Sequence, residues 1–253
     1  MGTNASSKAL IQNIQEFNLF LNQLGSSLSK AEEIYFAGGE PLVTEEHYLL
    51  LNHLIDSNNT KVRLRYNTNF TKLQFKSYDL IQLWSNFKQV DLLLSLDASD
   101  ELGEYIRKGL KWSHIEDNLN SIKNLPHVNL HLAPTVSVMN LPELPNLYRK
   151  MIINGPIKAD NIYFNILERP NHYNIQILPK TVKSNVTNSF KQFIDQELND
   201  GNHSKAISGF NEIIQYLNHQ DRSNLWTKFQ QKNNQIDNLR DENWSTIDPY
   251  LNL

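Results

Sequence analysis

Five apolar, strand-like runs recur along this 253-residue chain: Glu33–Phe36, Val62–Tyr66, Val90–Leu96, Val128–Val138 and Asn161–Leu167. They begin at intervals of roughly 30 residues, the length of one βα unit. Helical patterns fill the gaps. Thr44 stands at an N-cap position, with Glu45 and Glu46 in the first turn and Leu50, Leu51, Leu54 and Ile55 as a buried stripe. Leu80, Trp84 and Phe87 mark the next helix. Glu101–Lys108 stops at Gly109, and Ser113-x-x-Glu116 reads as a capping box ahead of Ile115, Leu119 and Ile122. Pro142–Ile153 closes at Gly155. Strand alternating with helix predicts an α/β fold with a mostly parallel sheet and right-handed crossovers, either open or closing toward a barrel.

Two regions leave this rhythm. Residues 1–30 give one amphipathic helix (Leu10, Ile14, Phe17, Leu21, Leu24) with no strand before it. The strand at Glu33–Phe36 is then an open edge unless that helix covers it, so Leu10, Ile14, Phe17 and Leu21 are expected to be buried. Residues 181–253 read as helical, with segments at Phe190–Leu198, Ile207–Leu217 and Leu225–Arg240. The organisation is therefore an N-terminal helix (1–30), an α/β core (31–180) and a helical region packed on it (181–253).

Composition removes several function classes. Lys and Arg number 24 against 27 Asp and Glu, a net charge of −3, which excludes a generic basic nucleic-acid surface. The mean hydropathy of −0.50 comes with no long apolar run, so no membrane-spanning helix is expected. The opening MGTNASSKAL has no apolar core of a signal peptide, so a cytoplasmic location is expected and the Asn-x-Ser/Thr triplets are read as chance. There is no cysteine, which excludes disulfides, thiolate zinc sites, a thiol nucleophile and a thiolate-held iron–sulfur cluster within this chain.

Ligands of parallel α/β sheets gather at the C-terminal strand ends. Here those ends carry Gly38-Gly39-Glu40-Pro41, Asn67-Thr68-Asn69, Ser95-Leu96-Asp97 and Ser137 to Asn140. Gly38 and Gly39 let backbone approach a ligand, and Pro41 stiffens the position of the Glu40 carboxylate; a tight turn would use the same residues. Ser95 and Asp97, two apart, share a face and suit a diol or an ammonium, although Asp after a strand also caps helices. Arg107 could meet a carboxylate or phosphate, or simply be solvated. His127 and His131 lack a third ligand for zinc, and His47 and His53 read as surface or half-buried. No phosphate-loop, dinucleotide or nucleophile-elbow motif occurs.

Taken in order, these segments resemble radical S-adenosylmethionine enzymes. Ala31–Val43 (AEEIYFAGGEPLV) is similar to the family's second strand and GGEP motif. Arg65–Thr71 (RYNTNFT), Leu93–Asp97, Glu104–Gly109 (EYIRKG) and Pro134–Asn140 (PTVSVMN) follow in sequence. Tyr173–Lys183 (YNIQILPKTVK) and Ile236–Asn243 (IDNLRDEN) resemble the tail of a twitch-domain subgroup, so the likeness spans about residues 31–253. It implies an incomplete (β/α) barrel, here without its first strand, with S-adenosylmethionine across the open top. Gly38, Gly39 and Glu40 would then line the methionyl end, Glu40 accepting from the ammonium. Ser95 and Asp97 would contact ribose or methionyl polar atoms, and Arg107 a carboxylate. Thr68 and Asn69 correspond to the third-strand motif, and Val138 to Asn140 would lie near adenine.

Two departures stand out. Phe70 sits where many relatives carry Gly, and the family's CxxxCxxC loop, which holds a [4Fe–4S] cluster, has no counterpart. The resemblance therefore implies a truncated or split enzyme, or one that has lost its cluster, with a cysteine-bearing upstream polypeptide as partner if split and an unnamed substrate. The alternatives are a non-catalytic nucleoside-binding module and a barrel hydrolase using Glu40 and Asp97 as paired carboxylates.

Overall fold

The computed structural model describes residues 17–247 and 249–250; Leu10 and Ile14, expected to be buried, lie outside them. The strands are β1 Glu33–Phe36, β2 Arg63–Thr68, β3 Gln74–Phe75, β4 Tyr78–Asp79, β5 Val90–Leu94, β6 Val128–Leu132, β7 Thr135–Val136 and β8 Asn165–Ile166. Four of them form one parallel sheet in the order β1-β2-β5-β6. β7 pairs in parallel with β8, and Leu132 pairs with Ile162. Backbone bonds from Leu132 to Asn161, Tyr163 to Leu132, Asn165 to Pro134 and Leu167 to Val136 carry the sheet on into the fifth apolar run.

The chain thus lays its five runs side by side in sequence order. Right-handed crossovers between sequential neighbours put the connecting helices on one face. Leu64, Tyr66, Leu92, Leu94 and Leu132 are buried on that face. The alternate residues Arg63, Arg65, Asn67, Asp91, Asn129 and His131 share the other, because in-register parallel neighbours point the same way.

The expected single strand Val128–Val138 is broken at Ala133–Pro134, where proline brings no N–H to the ladder. The run Asn161–Leu167 is regular only at Asn165–Ile166. The β3–β4 hairpin, turning through Lys76 at φ 53°, carries too few residues to leave a periodic signal.

The helices are α1 Phe17–Leu24, α2 Ser26–Ser29, α3 Glu45–Asp56, α4 Leu80–Trp84, α5 Asp100–Ile106, α6 Trp112–Ile122, α7 Leu144–Tyr148, α8 Lys180–Glu197, α9 Ser204–His219 and α10 Trp226–Arg240. α7 runs into a π-helical turn at Arg149–Ile153. Phe17 and Leu21 pack against the core but are only half-buried, short of the full burial expected of them.

Two expected caps make no side-chain capping bond to their helix, although Thr44 does stand at the N-cap of α3. Thr44 precedes α3, yet its hydroxyl donates to the Glu40 carbonyl (3.1 Å) rather than accepting from the helix. The Ser113–Glu116 box does not form, because α6 already starts at Trp112. Glu104 accepts from the Trp112 backbone N–H (2.9 Å), and Glu116 accepts from the Trp112 indole (2.8 Å).

α3 buries His47, contrary to the expected surface or half-buried place. It sits at the head of the stripe His47, Leu50, Leu51, Leu54, at 3-4-7 spacing, which puts it on the core face. Its Nε2 lies 3.0 Å from the Tyr66 hydroxyl, which also accepts from the Trp84 indole (3.2 Å). Burial pushes the His47 imidazole down to about 3.

The C-terminal helices add an aromatic cluster in which Phe210 meets Phe190 and Phe193 with centroids 5.1 and 5.3 Å apart, inside the attractive range. Among the described residues no helix is long and apolar enough to cross a membrane.

Candidate functional site

The expected site residues come together at the C-terminal ends of the parallel strands, in two hydrogen-bonded groups. The first is built on Glu40. Leaving β1, the chain turns through Gly38 (φ 85°) and Gly39 (φ 53°), both left-handed, which glycine adopts without strain. A Cβ at either would meet nothing within 4 Å, so the space over this loop is open. Glu40 then caps the 3-10 turn Pro41–Val43. One carboxylate oxygen accepts from the Leu42 N–H (3.2 Å) and the Thr68 hydroxyl (2.6 Å), the other from the Asn69 N–H (2.7 Å). Glu40 therefore ties the loop after β1 to the loop after β2. Its four lone-pair sites leave one position for a ligand donor.

Thr68 is buried and accepts from the Phe70 N–H (2.9 Å), while the Asn69 side chain holds Thr71 (2.9 and 3.2 Å). Phe70 is left-handed at φ 57° with a fully buried ring. That backbone favours Gly, and Phe70 holds it by burying its ring.

The second group is built on Asp97. One of its oxygens accepts from Arg107 Nε (2.9 Å), the other from the Thr135 N–H (2.8 Å). Asn140, fully buried, donates to the carbonyls of Asp97 (2.6 Å) and Thr135 (3.0 Å) and accepts from the Ser137 N–H (2.8 Å). The end of β5 is thereby locked to the β6–β7 segment. A Ser95 N–H bond to the Thr68 carbonyl (2.8 Å) joins the two groups, and the Ser95 hydroxyl bonds no described residue.

Beside the second group lies a cavity of about 280 Å³, lined by Asp97, Thr135, Ser137 and Met139 on the sheet side and by Asn233, Ile236 and Arg240 of α10 on the other. Tyr105 fastens α10 there. Its hydroxyl donates to Asp237 (2.5 Å) and accepts from Asn233 Nδ2 (2.9 Å), and its carbonyl accepts from Arg240 (3.1 Å). Burial and the Asp237 carboxylate raise the Tyr105 phenol, keeping it protonated as a donor. Asn233 Oδ1 is buried and has no partner. Tyr105, Asn233, Asp237 and Arg240 were not foreseen as site residues, although they fall in EYIRKG, just before IDNLRDEN and within it.

A larger, more open groove of about 1480 Å³ runs from Ile166–Asn171 along α9, but contains none of the expected residues. The smaller cavity is the better site, because it adjoins the strand ends and is closed on its other side by Tyr105 and by Asn233 and Arg240 of α10. Among the described residues no three His, Asp or Glu side chains converge as for a metal ion. His131 instead packs 5.8 Å from the Tyr163 ring. The chain matches no protein-family model and no curated protein.

Proposed function

We propose that this chain is a partial (β/α) barrel of the radical S-adenosylmethionine type, binding the adenosyl cofactor across its strand ends and supplying no cluster of its own. The observation that carries this is the cavity beside Asp97, Ser137 and Met139, which is also lined by Asn233, a residue whose buried carboxamide oxygen has no partner. At about 280 Å³ it stands at the lower end of ligand-pocket sizes, enough for a nucleoside but not for a large ligand. The Asn233 oxygen offers an acceptor to an exocyclic amine or ribose hydroxyl. The open space over Gly38–Gly39 and the spare position on Glu40 accommodate the aminoacyl end.

No residue here fits a [4Fe–4S] cluster, which takes cysteine thiolates. Reductive chemistry would need those thiolates from outside these 253 residues, on a cysteine-bearing upstream segment or polypeptide. The paired-carboxylate hydrolase is not favoured: Glu40 is held by the Leu42 and Asn69 N–H groups and the Thr68 hydroxyl, and Asp97 by the Thr135 N–H and Arg107.

The test is calorimetric titration with S-adenosylmethionine and with adenosine, on the parent chain, Asp97→Asn and Leu167→Trp, the last filling the cavity rim. Binding that falls at least tenfold in both variants supports the proposal. No binding of either compound refutes it, and adenosine binding as tightly as S-adenosylmethionine favours the nucleoside-binding module.

A further inference from the structure

We propose that the sheet face opposite the helices binds the oxyanion of a small carboxylate- or phosphate-bearing molecule, held by Arg65 and Lys205 beside His131. Strand parity and register put Arg63, Arg65 and Asn67 of β2, Asp91 of β5, and Asn129 and His131 of β6 on this face. Its carboxylates are already engaged. Arg63 contacts Glu33 at 3.0 Å and Asp91 at 2.6 Å, and Asn129 donates to Asp91 at 2.9 Å.

Two cations remain without an acidic partner. Arg65 lies over the Tyr35 ring at 5.5 Å and Lys205 over the Tyr163 ring at 3.5 Å. Tyr35 is 50% exposed and Tyr163 39%, so the face is reachable from solvent. Three polar atoms on it are buried without a partner: Arg65 Nε, Asn67 Oδ1 and His131 Nδ1. Such atoms are rare in folded proteins, and three on one face mark a place where a polar ligand belongs. His131 registers the same charges. Burial is the main force lowering its pKa, Asp91 opposes, and Lys205, Arg65 and Arg63 lower it further.

Asn67 and His131 stand two strands apart, about 10 Å, which is the span of a small di- or trianion. An oxyanion on Arg65 or Lys205 would gain charge-assisted bonds.

The experiment titrates citrate and pyrophosphate into the parent chain, Arg65→Gln, Lys205→Gln and the charge-matched control Lys191→Gln on α8. At least one probe should bind. Arg65→Gln and Lys205→Gln should each weaken it tenfold or more, while Lys191→Gln changes it less than twofold. Binding should move the His131 imidazole resonances in the parent. Citrate alone identifies a carboxylate ligand, and pyrophosphate alone a phosphate. No binding of either probe at 10 mM, or losses in Arg65→Gln and Lys205→Gln no greater than in Lys191→Gln, overturns the proposal. The probes carry no nucleoside, so failure here leaves the adenosyl reading untouched.

Discussion

Removing the titration of His47 should flatten the acid limb of the stability curve. The unfolded chain takes up a proton at His47 near 6.5, and the folded chain only near about 3, because the ring is buried against Tyr66. Between those values the unfolded state holds one more proton. Stability therefore falls on acidification, by about 1.4 kcal/mol per pH unit, is fully present above 6.5, and stops falling from this source below about 3. The loss is about 2 kcal/mol by pH 5 and about 5 kcal/mol across the whole window, a large share of an ordinary domain's stability. His47→Gln keeps an amide within reach of the Tyr66 hydroxyl and does not titrate. At pH 7 it should cost about 1 kcal/mol, because the edge contacts of the imidazole with Phe36, Tyr48 and Tyr66 are lost. Urea unfolding of both proteins at half-unit steps from pH 7 to pH 5 isolates the effect, since the carboxylates common to both cancel in the difference. The parent should lose its advantage and fall below the variant before pH 5. A difference that stays constant across that range refutes a buried, neutral His47.

Asn140→Ala should cost about 3 kcal/mol or more in urea unfolding, because it strands the Asp97 and Thr135 carbonyls and the Ser137 N–H in a buried site. Phe70→Ala and Phe70→Gly should both destabilise by losing the ring, with the Gly variant the more stable by about 1 kcal/mol, since Ala at φ 57° retains the backbone strain that Gly relieves. The reverse order would deny that strain. Tyr105→Phe should lower stability by about 2 kcal/mol and speed proteolysis within 226–247, because Asp237 and Asn233 lose the hydroxyl that fastens α10.

What the sequence made legible follows from period and strand-end chemistry. β1 appears at Glu33–Phe36 as expected, because a short apolar run ending in Gly-Gly leaves little freedom for either boundary. The gathering of Glu40 with Thr68 and Asn69 follows from parallel order alone, which brings successive strand ends together. The cap at α6 was not legible: its partner Glu104 lies on the preceding helix, so local spacing pointed to Glu116 instead. Nor was the side of the cavity built by α10, because Tyr105 reaches Asp237 across 132 positions of sequence. The half-buried state of Phe17 and Leu21 shows the same limit: an amphipathic pattern marks which face turns inward, and tertiary packing decides how far.

The most direct measurement of the central claim is an amide proton–nitrogen correlation map recorded while S-adenosylmethionine is added. Shifts should concentrate at Gly39, Asn69, Asp97, Thr135, Ser137 and Met139 and at the Asn233 side-chain amide, saturating together with one dissociation constant. A map that does not change, or changes only along Glu168–Asn171 and α9, contradicts that claim.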